Sequence, residues 1–386
     1  MLAMSHRLLS CLASLGLVVS QQVGTQMPEI HPEMWIEVNC TADGCQREKA
    51  SVVLDSNWRW FHKDAQNCYM NDNTWSPATC SDPFKCAQTC GLDGADYEGT
   101  YGITENSVKD GMLLKFVTKG PYSTSYGSRV YVMDSEETYR MFKLKNREFA
   151  FDVNVSNLRC GLNGALYFVE MDSKGDWDGA NNKAGAKYGT GYCDAQCPHD
   201  LKFIQGQANV IDWNNTAVPP VGKYGSCCAE MDIWEANNMA TAFTPHVCTE
   251  AGLTMCEGTM CGDNDKGERY LGICDKDGCD FNPFRLGEQS FYGVGPDFDI
   301  DTSRPLTVVT QFVTTNGTDA GDLFEVKRFY MQDGKVIPNS EASVLGSSGG
   351  NSVTDDFCHA QKDKFGDPND FAAKGGMKAM GEALDR

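Results

Sequence analysis

Cys227-Cys228-Ala229-Glu230-Met231-Asp232-Ile233-Trp234-Glu235-Ala236-Asn237 sets three carboxylates within six residues, behind a cysteine pair and ahead of an asparagine. Met231 and Ile233 alternate with Glu230 and Asp232, which is the period of a β-strand. Glu230 and Asp232 are therefore expected on one face and the two apolar side chains on the other. Glu235 lies five positions from Glu230, the wrong parity for that face. A β-bulge between Asp232 and Glu235 would restore it, and bulges are common beside active sites. Two carboxylates on one concave face suit acid and nucleophile work on a glycosidic bond, at about 5–5.5 Å apart in retaining enzymes. The same spacing also fits an acidic solvated strand face or a structural cation site, since carboxylate clusters mark sites only statistically.

Outward from this strand the chain reads as many short strands and turns. It has 386 residues, 39 of them Gly, and patterns of helical period are scarce. The 41% hydrophobic fraction suffices for a sizeable core, with no Pro/Ser/Thr-rich linker, low-complexity run or internal repeat. Residues 1–20 read as a secretory signal. His6 and Arg7 precede an apolar run, Leu8–Val19, too short to span a bilayer, and Val18-Val19-Ser20 offers a cleavage pattern before Gln21. A secreted protein with 18 Cys at close spacings points to disulfides rather than zinc. The net charge of −20 argues against nucleic acid and anionic membranes, and fits a neutral polymer as partner. Four sequons, at Asn39, Asn154, Asn214 and Asn316, permit glycosylation. Gly262-Asp263-Asn264-Asp265-Lys266-Gly267 has the wrong carboxylate spacing for a calcium loop.

Glu230-Met231-Asp232-Ile233-Trp234-Glu235-Ala236-Asn237 resembles the signature of glycoside hydrolase family 7, the cellobiohydrolases and endoglucanases that act on cellulose. The resemblance runs from about Trp35 to the last residue, through Ser51–His62, Cys160–Asp172, Ala184–Asn209 and Cys279–Gly295. It implies an all-β fold: a curved two-sheet antiparallel jelly-roll sandwich with disulfide-pinned loops roofing a glucan cleft. It implies one catalytic domain over residues 21–386, acting as a monomer on cellulose or another β-1,4-glucan, with no metal, cofactor or carbohydrate-binding module. Glu230 becomes the nucleophile, Glu235 the acid/base with a raised pKa, and Asp232 the group that tunes Glu230.

Other matches follow residue by residue. Trp58 and Trp60, placed on one face by strand alternation after Val53–Asp55, match tryptophans that stack on glucosyl units. Arg129, Asn163, Tyr167, Tyr192, Gln196 and Lys202 match cleft residues, and Asp194 a carboxylate beside the catalytic group. Thr244 and His246 lie just past the signature, His246 matching a residue close to the bond being cut. The insertion Cys256–Cys279, long in cellobiohydrolases and short in endoglucanases, carries Arg269 and Asp277; with Asp280 and Arg285 just beyond it, these match residues that hold the product. Phe281 and Phe284 stand where the family usually has Trp and Tyr.

The resemblance pairs Cys40–Cys45, Cys68–Cys90, Cys80–Cys86, Cys193–Cys228, Cys197–Cys227, Cys248–Cys274, Cys256–Cys261 and Cys279–Cys358. That leaves Cys160, whose family partner falls beyond Arg386, as do further tunnel tryptophans. The chain is therefore expected to be a C-terminally shortened catalytic domain. Thr307–Val313 and Glu325–Met331 read as strands, and only the last part of Asp363–Arg386 as helix. Reducing-end cellobiohydrolase action is the leading expectation. An open-cleft endo-β-1,4-glucanase and a non-catalytic glucan-binding jelly roll are the alternatives.

Overall fold

A computed structural model describes residues 21–121, 123–263 and 268–386. The expected signal segment and the calcium-like loop residues 264–267 lie outside the described residues. Two antiparallel layers carry the site. The outer one orders strands Arg147–Val153, Leu306–Thr314, Leu323–Gln332 and Lys335–Pro338, with Ser352–Val353 pairing the third of these. The inner one orders Gly164–Val169, Glu230–Ala236 and Thr241–His246. A four-stranded sheet, Thr138–Tyr139, Val130–Ser135, Gly44–Leu54 and Glu33–Thr41, extends the architecture. This is the jelly-roll sandwich expected from the sequence.

Alternation explains how the layers meet. Val326, Arg328 and Tyr330 of the outer sheet are buried while Lys327 and Met331 face out. Met231 and Ile233 enter the same core from the inner strand, against Phe243, Phe312, Leu323 and Val326. Arg328, fully inside, donates to the Ile233 carbonyl and lies 4.3 Å over the Phe243 ring. The apolar half of the alternation is thus fixed in the sandwich, so the carboxylate half must face the other way.

The C-terminal segment is more helical than its sequence suggests. Asp355–Phe365, Asp370–Ala373 and Gly376–Ala383 are all helices. Thr354 caps the first, its hydroxyl accepting from the Phe357 N–H at 3.1 Å. Phe357, Phe371, Met377 and Met380 complete the core behind the strand Glu230–Ala236. The strand reading also fails at Trp58: Ser56–Trp58 is a 3-10 turn, with Asp55 accepting from the Asn57 N–H. Strand alternation therefore does not relate Trp58 to Trp60.

Disulfides join the eight cysteine pairs named above, and Cys160 is free and exposed. All four sequon asparagines are exposed. Among the described residues no helix is long and apolar enough to cross a membrane.

Candidate active site

The bulge is present, and it builds the site. Against Gly164–Val169, Asp232 faces Tyr167 and Trp234 faces Leu166, so Ile233 is the extra residue. Against Thr241–His246, Asp232 faces Thr244 and Glu235 faces Ala242, with the same shift between them. One added residue turns Glu235 back to the side of Glu230 and Asp232. All three line one cleft of about 350 Å³, with Thr244 and His246 from the neighbouring strand.

Charge is concentrated at its floor. One carboxylate oxygen each of Glu230 and Asp232 and a ring nitrogen of His246 lie within 4.8 Å of one another. His246 Nε2 is 3.2 Å from Asp232 Oδ2, and its Nδ1 lies 2.8 Å from the Asp275 carbonyl oxygen, which can only accept. Burial alone would pull this imidazole down, but Asp232, Glu230 and Asp275 outweigh it and hold it at about 10. Burial pushes the Glu230 carboxyl well up, and Asp194 and Asp232 add to that. His246 and the Ala195 N–H, which donates to Glu230 Oε2 at 3.1 Å, pull it back. Burial and then Asp232 also raise Glu235, which accepts from the Asn163 side-chain amide at 2.9 Å.

Disulfides set the wall next to Glu230. Cys193–Cys228 and Cys197–Cys227 clamp the Tyr192–Cys197 loop to the segment just before the strand Glu230–Ala236. Asp194 in this loop accepts from the Tyr192 hydroxyl at 2.5 Å and the Gln196 N–H at 2.8 Å, and burial raises its carboxyl. Gln196 reaches across the cleft, its amide donating to the Lys276 carbonyl at 2.8 Å. On that side Asp277 and Asp280 line the cleft.

Gly278 shows how tightly this loop presses on the floor. Its φ is +64°, and a Cβ there would sit 2.6 Å from His246 Cε1 and 2.4 Å from Thr244 Cγ2. Arg269 and Arg285 do not line the cleft themselves. Arg269 binds Asp277 through Nε and Nη2 at 2.9 and 2.6 Å. Arg285 bridges Asp280 at 2.8 Å and Asp367 at 2.7 Å.

The remaining candidates sit farther along. Tyr167 shares a hydroxyl contact of 3.1 Å with Tyr192. Arg129 lies 3.2 Å over the Tyr192 ring and binds Asp55 at 2.8 Å, so its guanidinium is committed to protein partners. Lys202 donates to the Asn57 carbonyl and lies 4.6 Å over the Tyr69 ring. Burial pulls its ammonium down to about 8, against the pull of Asp55 and Asp200. Trp58 is half-buried under Arg129. Trp60 is exposed; one face stacks on His62 at 3.8 Å and its N–H donates to Asn67 at 2.7 Å. Two cleft residues escape the sequence reading, Lys276 and Ala242. Lys276 lies beside Asp277 in the insertion, a signal in hindsight; Ala242 carries none.

A profile of glycosyl hydrolase family 7 matches residues 23–386. A family 7 cellobiohydrolase from Daphnia pulex is 51% identical, with a TM-score of 0.91 over 95% of this chain and 84% of that one. A cellobiohydrolase from Melanocarpus albomyces, complexed with cellotetraose, is 43% identical, with a TM-score of 0.85 over 94% and 83%. The endocellulase EGI of Humicola insolens is 36% identical, with a TM-score of 0.80 over 95% and 85%.

Proposed function

The chain belongs to glycosyl hydrolase family 7, cellulases that hydrolyse β-1,4-glucans, and from that membership we propose a retaining cellobiohydrolase that releases cellobiose from chain ends, the reducing end first. The observation that carries the reading is the bulge that brings Glu230, Asp232 and Glu235 into one cleft. Glu230 attacks the anomeric carbon and forms a glycosyl-enzyme. Glu235 protonates the leaving oxygen and then takes a proton from the incoming water. Glu230 must be ionised to attack, and the charged His246 and the Ala195 N–H favour that form against burial. Asp232 links the two, sharing the His246 proton on one side and the field of Glu230 on the other. Burial keeps Glu235 protonated at mildly acidic pH.

Exo action is supported by the insertion, which sets Lys276 and Asp277 along the cleft, with Asp280 just beyond it, and is bridged to the opposite wall by Gln196. The identity of 51% to a cellobiohydrolase, against 36% to an endocellulase, points the same way. The protein acts outside the cell as a monomer in this reading. Endo action is the second reading, favoured by the likeness to an endocellulase over 95% of the chain.

Chromatography of sugars released from amorphous cellulose separates the two. Predominant cellobiose with few new ends in the solid is expected; mixed oligosaccharides with many insoluble ends would establish the endo reading. With an activated aryl glycoside, Glu230→Gln is expected to abolish turnover, while azide restores turnover to Glu235→Gln. An inverted product anomer would overturn both roles.

A further inference from the structure

Two hairpins, Ile103–Glu105 with Met112–Leu114 and Val117–Lys119 with Thr124–Tyr126, leave one stretch of chain bare. Leu113-Leu114-Lys115-Phe116-Val117 is exposed at every position, and four of its five residues are large and apolar. Phe116 is 49% exposed; Tyr126, directly opposite Val117 in the second hairpin, is 65% exposed. Isolated exposed apolar residues are ordinary, but a run of them on two neighbouring hairpins points to a surface that meets something.

The patch is tied to Trp58. Trp58 Nε1 donates to the Tyr126 carbonyl at 3.4 Å, and the Tyr101 hydroxyl donates to the Trp58 carbonyl at 2.9 Å. Ile103 and Trp58 pack in one apolar cluster over Leu54. The Gly127 N–H donates to the Phe116 carbonyl at 2.7 Å, tying the second hairpin to the run.

We propose that this patch docks the enzyme on the flat apolar face of packed β-1,4-glucan, outside the cleft that takes a single chain. The inference rests on the glucanase reading above and extends it to the solid polymer. Stacked pyranose rings present rows of C–H groups and no net charge, which suits leucine, valine and aromatic side chains. A second copy is a poor occupant, because it would bring two chains of −20 together. An anionic bilayer meets the same repulsion. Lys115 and Lys119, the charged residues of the stretch 113–119, do not offset a charge of that size.

The test is adsorption of the full chain to crystalline cellulose in the cold, for wild type and for Leu113→Ser/Phe116→Ser/Tyr126→Ser. The partition coefficient is expected to fall about tenfold, with hydrolysis of a soluble aryl cellobioside within about twofold of wild type. Single Phe116→Ser, with an unchanged melting temperature, serves if the triple variant folds poorly, and should give part of the loss. Unchanged adsorption overturns the proposal. An equal loss on the soluble substrate also overturns it, since the patch would then serve the cleft. A wild-type dimer in ultracentrifugation that the variant abolishes assigns the patch to a second copy instead. If no glucan is hydrolysed but adsorption still depends on these residues, docking stands and the catalytic reading fails.

Discussion

Glu230 is held in a place that disfavours its own charge, and two measurable effects follow at the scale of single residues. Its folded pKa is raised, so its contribution to stability is complete below about 4.5, where an unfolded glutamate already binds its proton. That contribution is lost as pH rises toward the folded value. At pH 7 the native state bears a penalty that the unfolded chain does not. Glu230→Gln should therefore melt higher than wild type at pH 7, by about 2 °C or more, with the gain vanishing near pH 4. Calorimetry at both pH values checks the sign. Asn163 acts oppositely on Glu235, its donated hydrogen bond lowering a carboxyl that burial raises. Asn163→Ala should move the alkaline limb of kcat/KM to higher pH, read from a pH–rate profile. Both carboxylates and the need for a bulge were legible in the sequence, because parity is a property of spacing. Lys276 was not, because its place over the floor depends on a loop-to-strand contact across 30 residues, from His246 to Lys276.

Elements decide how long that geometry lasts. The strand Glu230–Ala236 begins just after two disulfides fasten its lead-in to the Tyr192–Cys197 loop. Replacing Cys197 and Cys227 together by Ser should lower unfolding stability by about 2–4 kcal/mol in urea titrations. Activity should fall with it, since the Ala195 N–H that meets Glu230 rides on that loop. Strands were readable wherever one face is apolar, as in Leu306–Thr314 and Leu323–Gln332. The helix Asp355–Phe365 was not, and the reason is in its buried face: Phe357 and Cys358 share it with Gln361 and Lys362. Two polar residues in four erase the 3.6-residue apolar signal. The 3-10 turn at Ser56–Trp58 escaped similarly, its cue being a single Asp55 side chain closing on Asn57.

The whole molecule carries a net charge of −20, and its self-repulsion is screened by salt. The melting temperature should rise between about 10 mM and about 0.3 M sodium chloride, by differential scanning fluorimetry. A fall would mean that ion pairs such as Arg285 with Asp280 and Asp367 outweigh the repulsion. The sandwich itself also sets an order in time. Met231 and Ile233 are covered from behind by Phe357, Phe371, Met377 and Met380, and Cys279 is joined to Cys358. A ribosome adds about 5–20 residues per second, so roughly 7–30 s separate the emergence of Ile233 from that of Met380. Throughout that interval the nascent chain leaves the apolar underside of the strand Glu230–Ala236 without its cover. The cleft floor is consequently backed only once the helices Asp370–Ala373 and Gly376–Ala383 have arrived.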